Sequence, residues 1–245
     1  MISVVLPTRN EPTVQDLIAQ LRETMKSVTT DYEILAVDKS DDDTPSRLRR
    51  AGVDVLAQKS RGLGGAIIEG LRAARGDPIL VMDADLSHNP RFIPAFIKKS
   101  LEGFDIVVGS RRVGGGGIVG WGIYRRLVSW IGNVLGRVVA GVDASDLTSG
   151  YRLYSRKAVG TLDFDRLRSS GYAFQLEVLA EASERGLRIG SVPIVFTDRS
   201  AGVSKLSRKD IFEFLLTALR LGLRRLRHRL PKTPSLLNQD NDREE

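Results

Sequence analysis

The chain of 245 residues contains no cysteine, only two histidines, and few aromatic residues, which make up 6% of it. The absence of cysteine excludes disulfides, thiolate metal sites and a cysteine nucleophile, and it leaves the redox compartment open. Arg, Gly or Asp interrupts every apolar stretch well before the roughly 18 residues that a membrane-spanning helix needs. No basic segment or cleavage site follows Met1, so the sequence predicts neither a signal peptide nor a membrane span.

Positive charge, by contrast, is in excess. The 37 Lys and Arg residues outnumber the 30 Asp and Glu residues, which gives a net charge of +7, and arginines cluster at 111–126 and 220–229. Such a charge suits an anionic partner, a class that includes nucleic acid, a phosphorylated ligand and an acidic membrane surface. With 42% apolar residues the chain can form a sizeable core, whereas the polar composition of residues 231–245 predicts a disordered tail.

Strand-like and helix-like segments alternate through the first half of the chain. Apolar runs typical of buried strands occur at 2–7, 32–38, 53–57, 78–83 and 104–110. Their alternation with helical patterns predicts an α/β, Rossmann-like fold of three layers with a mostly parallel central sheet and right-handed crossovers. The second half is less regular, and its patterns predict helices over 172–186 and 208–230 and a strand over 188–196.

Acidic residues follow several of these predicted strands. Asp83 and Asp85, in VMDADLSHNP, are two positions apart and therefore share one face of a strand. Two close carboxylates repel each other, and a divalent cation is the natural compensation. Glu11 and Asp38 end two further strands, and ligands of such sheets bind at the carboxyl ends of the strands. Helix capping and turn formation are the alternative roles for all four residues.

A glycine cluster, RGLGGAIIEGLRAARG at 61–76, leads into a predicted helix. Its spacing matches neither the dinucleotide-binding fingerprint nor the P-loop. The glycines either let a phosphate approach the helix N-terminus or allow the helix to pack tightly on the sheet.

Several longer motifs occur in one order over residues 1–215, namely VVLPTRNE, VDKSDDDT, VMDADLSHNP, VVGSR, DLTSGYRLYSR, GYAFQLEVL and VPIVFTDRSAGVSKL. Together they resemble the family 2 inverting glycosyltransferases of GT-A fold, and within them the polyprenyl-phosphate sugar transferases similar to dolichyl-phosphate mannose synthase. The resemblance implies a GT-A domain over 1–207. It also implies transfer of a hexose, with mannose from GDP-mannose as the expectation, from a nucleotide sugar to dolichyl or another polyprenyl phosphate.

The same resemblance implies roles for individual residues. Mg²⁺ or Mn²⁺ is expected at Asp83, Asp85 and Ser87, although Ser87 stands where the family usually has Gln. Lys39 stands where many members have Asp, which affects recognition of the base. The implied nucleotide-binding residues are Pro7, Thr8, Asn10, Glu11, Asp38 and Asp83.

The resemblance also implies residues for catalysis and for binding of the acceptor, most of them basic. The implied catalytic residues are Asp85, Arg111, Arg199 and Lys205. The acceptor phosphate is expected at Arg111, Arg125 and Arg199, with Arg126 as an alternative to Arg125, and Gln175 and Glu177 resemble pocket residues of the family.

The acceptor can also be considered from its chemistry. A lipid phosphate is already an anion and needs little help from a general base, which fits a chain with several cations and no evident base. A sugar hydroxyl of a glycolipid or polysaccharide is the alternative acceptor; Asp146 would then serve as base, although a turn or cap role explains it equally well. His88 is expected to be structural. A basic nucleic-acid-binding module is a remote alternative, since no known motif of that class is present.

The C-terminal segment 208–230 predicts a basic amphipathic helix. Its apolar stripe contains Ile211, Leu215, Leu219, Leu226 and Leu230, with Arg220, Arg224, Arg225, Arg227 and Arg229 on the other side. Such a helix can lie in an anionic membrane interface, beside the segment 118–140 with its two tryptophans. The alternative is that both segments pack on the domain and expose their arginines. The resemblance implies that the protein acts at the cytoplasmic face of a membrane. It would reach the membrane by peripheral docking or through a small membrane subunit, and nucleic acid is not expected as a partner.

Overall fold

A computed structural model describes residues 1–169, 171–198 and 208–229. Nine strands occur in these ranges: β1 (Ile2–Thr8), β2 (Tyr32–Asp38), β3 (Asp54–Ala57), β4 (Ile79–Val81), β5 (Ile106–Ser110), β6 (Gly117–Val119), β7 (Arg152–Tyr154), β8 (Ile189–Pro193) and β9 (Val195–Thr197). The same ranges contain eight α-helices: α1 (Val14–Lys26), α2 (Thr44–Arg50), α3 (Gly62–Ala73), α4 (Ile93–Leu101), α5 (Ile123–Leu135), α6 (Arg156–Thr161), α7 (Tyr172–Glu184) and α8 (Arg208–Arg229).

The central sheet has seven strands in the order β3-β2-β1-β4-β7-β5-β8. Every neighbouring pair is parallel except those of β7, which runs antiparallel to both β4 and β5. The predicted mostly parallel α/β sheet is therefore confirmed. The sequence patterns did not reveal β7, nor the small parallel sheet formed by β6 and β9.

Helices cover both faces of the central sheet. Val4 and Val5 are neighbours in β1 and both are fully buried, but they belong to two separate hydrophobic clusters, as the period of two in a strand requires. The Val4 cluster packs against α1 and α4, and the Val5 cluster against α3 and α7. At Gly70 in α3, an added Cβ would lie 2.3 Å from Cγ1 of Val5. This close approach supports the packing role of at least part of the glycine cluster.

The strand predicted over 188–196 is divided at Ile194. The backbone N–H of Ile194 donates to the carbonyl of Ser110 in the central sheet, while its carbonyl accepts from Gly117, which begins β6. The chain thus passes at this residue from β8 in the large sheet to β9 in the small one. A continuous apolar pattern carries no sign of such a change between sheets.

Helix α8 packs on α7, with Phe214, Ala218 and Leu221 buried and two arginines paired beside them. Glu177 of α7 forms an ion pair with Arg220, and Nε of Arg224 lies 2.9 Å from Oε1 of Glu184. Arg220 of the predicted basic side is exposed and Arg224 is half-buried, and both pair with glutamates of α7. Several apolar residues of α8, which include members of the predicted apolar stripe, are exposed as well: Phe212, Leu215, Leu216, Leu219, Leu223 and Leu226. Among the described helices, none has the length and apolar character needed to cross a membrane.

Candidate active site

A cavity of about 370 Å³ opens where several strands of the central sheet have their carboxyl ends. Pro7 and Thr8 from the end of β1, Asp83 and Asp85 after β4, and Arg111 after β5 all line it. The position is the one expected for the ligand of a parallel α/β sheet. Among the described residues, five acidic and four basic side chains line this cavity.

The turn after β4 fixes the two carboxylates. Leu86 has a φ of 63°, a value that a leucine rarely adopts, and the turn it makes brings Ser87 back to Asp85. Oδ1 of Asp85 accepts hydrogen bonds from the backbone N–H of Ser87 at 3.0 Å and from its hydroxyl at 2.5 Å. Ser87 is buried and does not line the cavity. The prediction of Ser87 as a direct metal ligand is therefore not supported, and its hydroxyl orients Asp85 instead.

Two carboxylates on one cavity wall fit a divalent cation of the kind that substrate phosphates complete. Within the parts of the chain that the structure describes, no group of three or more His, Cys, Asp or Glu side chains could hold a metal alone. Mg²⁺ is commonly held by one or two carboxylates together with phosphate oxygens and water. Asp83 and Asp85 would thus hold a cation jointly with a diphosphate.

His88 has a structural position. Its ring stacks on Tyr151 with 4.9 Å between centroids and meets Phe196 edge-on. Nδ1 accepts a hydrogen bond of 3.1 Å from the backbone N–H of Asp83, so this nitrogen carries no proton. Burial lowers the pKa of His88, against the opposing charge of Asp83, and keeps the imidazole neutral. His88 therefore supports the turn that carries the carboxylates.

The residues predicted to bind the nucleotide divide into two groups. Pro7, Thr8 and Glu11 line the cavity, as does Lys39. Asp38 is buried behind them and accepts a hydrogen bond of 2.8 Å from Thr8 Oγ1.

Asn10 is exposed, does not line the cavity, and exchanges hydrogen bonds with Asp41. Its φ of 56° is one that asparagine tolerates better than most residues. Asn10 and Asp38 thus shape the two loops of the predicted nucleotide site, and neither forms its wall.

Arg111 is buried and held by Asp146. Its Nε donates to Oδ2 of Asp146 at 2.7 Å, and its Nη2 donates to Oδ1 at 2.8 Å and to Thr148 Oγ1 at 2.7 Å. Burial alone would raise the pKa of Asp146, but the charge and hydrogen bonds of Arg111 outweigh it and hold that pKa below its usual value. Asp146 does not line the cavity. Its alternative role as a general base is therefore wrong, and it serves to orient Arg111.

A second arginine lines the same wall. Nη1 of Arg125 lies 3.0 and 3.1 Å from the two carboxylate oxygens of Asp198, at the end of β9. Both guanidinium groups lie over the ring of Trp121, with Cζ of Arg125 at 3.9 Å and Cζ of Arg111 at 5.3 Å from its centroid. Arg126 instead donates to the carbonyls of Trp121 and Ile118 on the surface. The structure thus separates Arg125, which faces the cavity, from Arg126.

An apolar groove of about 270 Å³ continues from the cavity between α5 and α8. Arg111, Trp121 and Arg125 line both the cavity and the groove and so mark their junction. The groove walls are mainly apolar: Tyr124, Val128, Ile131, Leu135, Ile211, Phe214 and Leu215. The site therefore joins a polar chamber to an apolar channel at two arginines.

Three further residues line the cavity although the sequence did not predict them as site residues: Trp121, Tyr172 and Asp210. Trp121 belongs to the segment predicted to face the membrane. Gln175 lines it as predicted, whereas Glu177 accepts hydrogen bonds from the backbone N–H groups of 168 and 169 and anchors α8. Arg199, Lys205 and the tail 231–245 lie outside the described residues.

The mostly parallel sheet, and the cavity with paired carboxylates at its carboxyl edge, are those of a glycosyltransferase of the GT-A fold. The chain belongs to the family described as Glycosyl transferase family 2, whose profile matches residues 3–162.

Among curated proteins it is similar to the undecaprenyl-phosphate mannosyltransferase of Micrococcus luteus, with 36% identity over 91% of this chain and 94% of that protein. It is also similar to the dolichol-phosphate mannosyltransferase of Pyrococcus furiosus, with 32% identity over 90% of this chain. The match covers 63% of the Pyrococcus protein, which is less than two thirds of its length.

Solved structures share the fold at lower identity. Glucosyl-3-phosphoglycerate synthase from Mycobacterium tuberculosis superimposes with a TM-score of 0.69 and 22% identity over 91% of this chain and 78% of that one. Mannosyl-3-phosphoglycerate synthase from Rubrobacter xylanophilus superimposes with a TM-score of 0.67 and 22% identity over 95% of this chain and 77% of that one. Crystals of the mycobacterial enzyme contain Mn²⁺ or Mg²⁺ with uridine diphosphate.

Proposed function

We propose that this chain transfers mannose from GDP-mannose to a polyprenyl phosphate and inverts the anomeric centre. The observation that carries the proposal is the continuity of the polar cavity with the apolar groove, because an acceptor with an anionic head and a hydrocarbon tail needs both. The activities named for the Micrococcus and Pyrococcus relatives support the sugar and the acceptor class. GDP as the nucleotide and inversion as the outcome follow from the family resemblance.

The donor is assigned to the polar end of the cavity. Its nucleoside would lie along Pro7, Thr8 and Glu11, with the diphosphate toward Asp83 and Asp85. These two carboxylates would hold Mg²⁺ or Mn²⁺, which would neutralise charge on the departing diphosphate.

The acceptor phosphate is assigned to the junction at Arg111 and Arg125. One of its oxygens forms a bond to C1 of the sugar while the bond from C1 to the diphosphate breaks and GDP leaves. Because a phosphate monoester is largely ionised at pH 7, no side chain has to remove a proton from it. The arginines attract and orient the incoming anion. A hydroxyl acceptor would need a base, and Asp146, the one considered for that role, is buried in its pair with Arg111.

The reaction itself provides the test of this function. Incubation with radiolabelled GDP-mannose and undecaprenyl phosphate is expected to move label into the organic phase, with little transfer from UDP-glucose or to oligosaccharides. Addition of a chelator should stop the reaction, and Mg²⁺ or Mn²⁺ should restore it. Label that enters oligosaccharides and not the lipid would contradict the proposal.

The enzyme is further proposed to dock peripherally on the membrane that holds its acceptor. The two helices that form the groove, α5 and α8, also carry exposed apolar residues: Ile123, Tyr124, Leu127, Trp130, Leu216, Leu219 and Leu223. Their burial in the interface would bring the groove to the lipid phase and stabilise binding. Since Arg220 and Arg224 pair with glutamates of α7, apolar contact is assigned a larger share of the binding than charge.

Replacing both Leu219 and Leu223 with Glu is expected to reduce binding to anionic phospholipid vesicles at least about tenfold, because each buried leucine contributes about 1.5–3 kcal/mol. These side chains are 56% and 60% exposed, so the fold should be unaffected. Vesicle co-sedimentation measures the change. Leu101→Glu is the matched control, since Leu101 is 83% exposed on α4, away from α5 and α8. Equal loss in the control, or none in the double variant, would contradict this docking surface.

A further inference from the structure

Trp121 occupies the point where the polar cavity becomes the apolar groove, and it lines both. It lies in the short connection between β6 and α5. The carbonyl of Trp121 accepts a hydrogen bond of 3.2 Å from Nε of Arg126, and its ring meets Phe196 edge-on with 5.5 Å between centroids. The indole is thus held from the backbone side and from β9.

The ring of Trp121 restricts two guanidinium groups at once. Arg125 is bound through Nη1 to Asp198, and Arg111 through Nε and Nη2 to Asp146. Each arginine therefore has a carboxylate at its edge and the indole near its face, with Cζ to centroid distances of 3.9 and 5.3 Å. Tryptophan is the aromatic side chain that attracts a cation most strongly in this geometry.

The arrangement leaves donors of both arginines unused. Within the described part of the chain, Nη1 of Arg111 and Nε and Nη2 of Arg125 make no hydrogen bond, whereas their other donors are engaged with carboxylates. Since both residues line the junction, these donors are the ones a ligand phosphate could use. A flexible arginine would have to be ordered when the ligand binds, which costs free energy that a preoriented one saves.

We propose that Trp121 is a positioning residue for the acceptor phosphate. Its ring holds Arg111 and Arg125 in the orientation that presents their unused donors to the phosphate, and its groove-facing edge packs against the first isoprene unit. The inference rests on the proposed function, and it adds a residue whose effect is confined to the acceptor.

The test compares Trp121→Leu, which removes the aromatic face, with Trp121→Phe, which keeps one. A short-chain prenyl phosphate in the absence of vesicles serves as acceptor, so that membrane docking does not contribute. Trp121→Leu is expected to raise the KM for prenyl phosphate about tenfold or more, through the loss of contacts to two partly desolvated guanidinium groups. The KM for GDP-mannose should stay within about twofold, and Trp121→Phe should recover most of the loss.

Phe104→Leu is the matched control, because the ring of Phe104 also lies near two cationic groups, Nζ of Lys99 at 4.6 Å and Cζ of Arg188 at 4.8 Å, but lines neither cavity nor groove. Should Trp121→Leu lower the Tm by more than a few degrees, Trp121→Met replaces it. An unchanged acceptor KM, an equal rise in both KM values, or equal impairment of the Phe and Leu variants would overturn the inference while the proposed function stands. A complete lack of transfer by the unaltered protein would overturn the proposed function and the inference with it.

Discussion

Replacing Asp85 with Asn is expected to lower the rate of sugar transfer by roughly three orders of magnitude while the protein stays folded. The amide has the shape of the carboxylate, and its oxygen can still accept the hydrogen bonds that Ser87 donates to Oδ1. What it lacks is the negative charge that would hold a cation against the donor diphosphate. Single-turnover rates measured with GDP-mannose and a prenyl phosphate at saturating Mg²⁺ check the expected loss.

A second measurement separates metal binding from other roles of Asp85. Titration with Mn²⁺ in the presence of GDP should show clear binding for the unaltered protein and a strongly weakened affinity for Asp85→Asn. Asp54→Asn is the matched control, since Asp54 is an exposed carboxylate at the edge strand β3 and pairs with Arg75 at the surface. If Asp85→Asn keeps more than about a tenth of the activity, Asp85 does not hold a metal that contributes strongly to the rate of transfer.

The sequence predicted the alternating half of the fold well, because each parallel strand there is a continuous apolar run. Strand β7 was not predicted because it is short and begins with a charged residue. Arg152 is fully buried, and its guanidinium donates to the carbonyls of Leu147, Ser149 and Gln175. A sequence pattern normally assigns an arginine to the surface. The three carbonyls that accept hydrogen bonds from this guanidinium come together only in the folded chain.

The contacts of α8 with the rest of the protein were not predictable for a related reason. Periodicity within one helix separates apolar from basic residues, but it does not tell which side meets the rest of the protein. Here Phe214, Ala218 and Leu221 form the buried side of α8, and glutamates of α7 pair with Arg220 and Arg224 beside it. These glutamates lie some forty residues away in the sequence, so the apolar stripe was predicted and the partners of the arginines were not.

The candidate site, like the fold, was predicted in part. Strand-end positions and the family resemblance pointed to Asp83, Asp85, Arg111 and Arg125, and the structure brings these four side chains to one cavity. The contacts that orient these side chains were not predictable. The pairing of Asp146 with Arg111, for example, joins residues on separate loops. Without that pairing, Asp146 could be read equally as a base or as a turn residue.

The pair of Arg111 and Asp146 gives the second large expected effect. Arg111→Leu leaves Asp146, which has no exposed surface, without its charged partner, and should destabilise the protein by about 3–5 kcal/mol at pH 7. Thermal or urea unfolding followed by circular dichroism measures this loss. Transfer activity should fall as well, but activity alone would not distinguish a catalytic effect from a loss of folded protein.

The pH dependence identifies Asp146 as the source of the instability. In the unaltered protein its pKa is held below the usual value, so the stability contributed by this carboxyl is present above the unfolded-state pKa of about 3.9 and is lost as the pH falls through the folded-state pKa. Without Arg111, burial becomes the dominant influence and raises the folded-state pKa above 3.9. The variant should therefore gain stability as the pH is lowered from 7 toward about 5, whereas the unaltered protein should not.

Combining Arg111→Leu with Asp146→Leu separates folding from catalysis. The double variant removes both charges and fills their space with apolar groups, so its stability should return to within about 1–2 kcal/mol of the unaltered protein. Its transfer activity should remain low, because the donors of Arg111 at the junction with the groove are gone. A stable double variant with nearly full activity would mean that Arg111 serves only the fold and that the acceptor phosphate is bound by other residues.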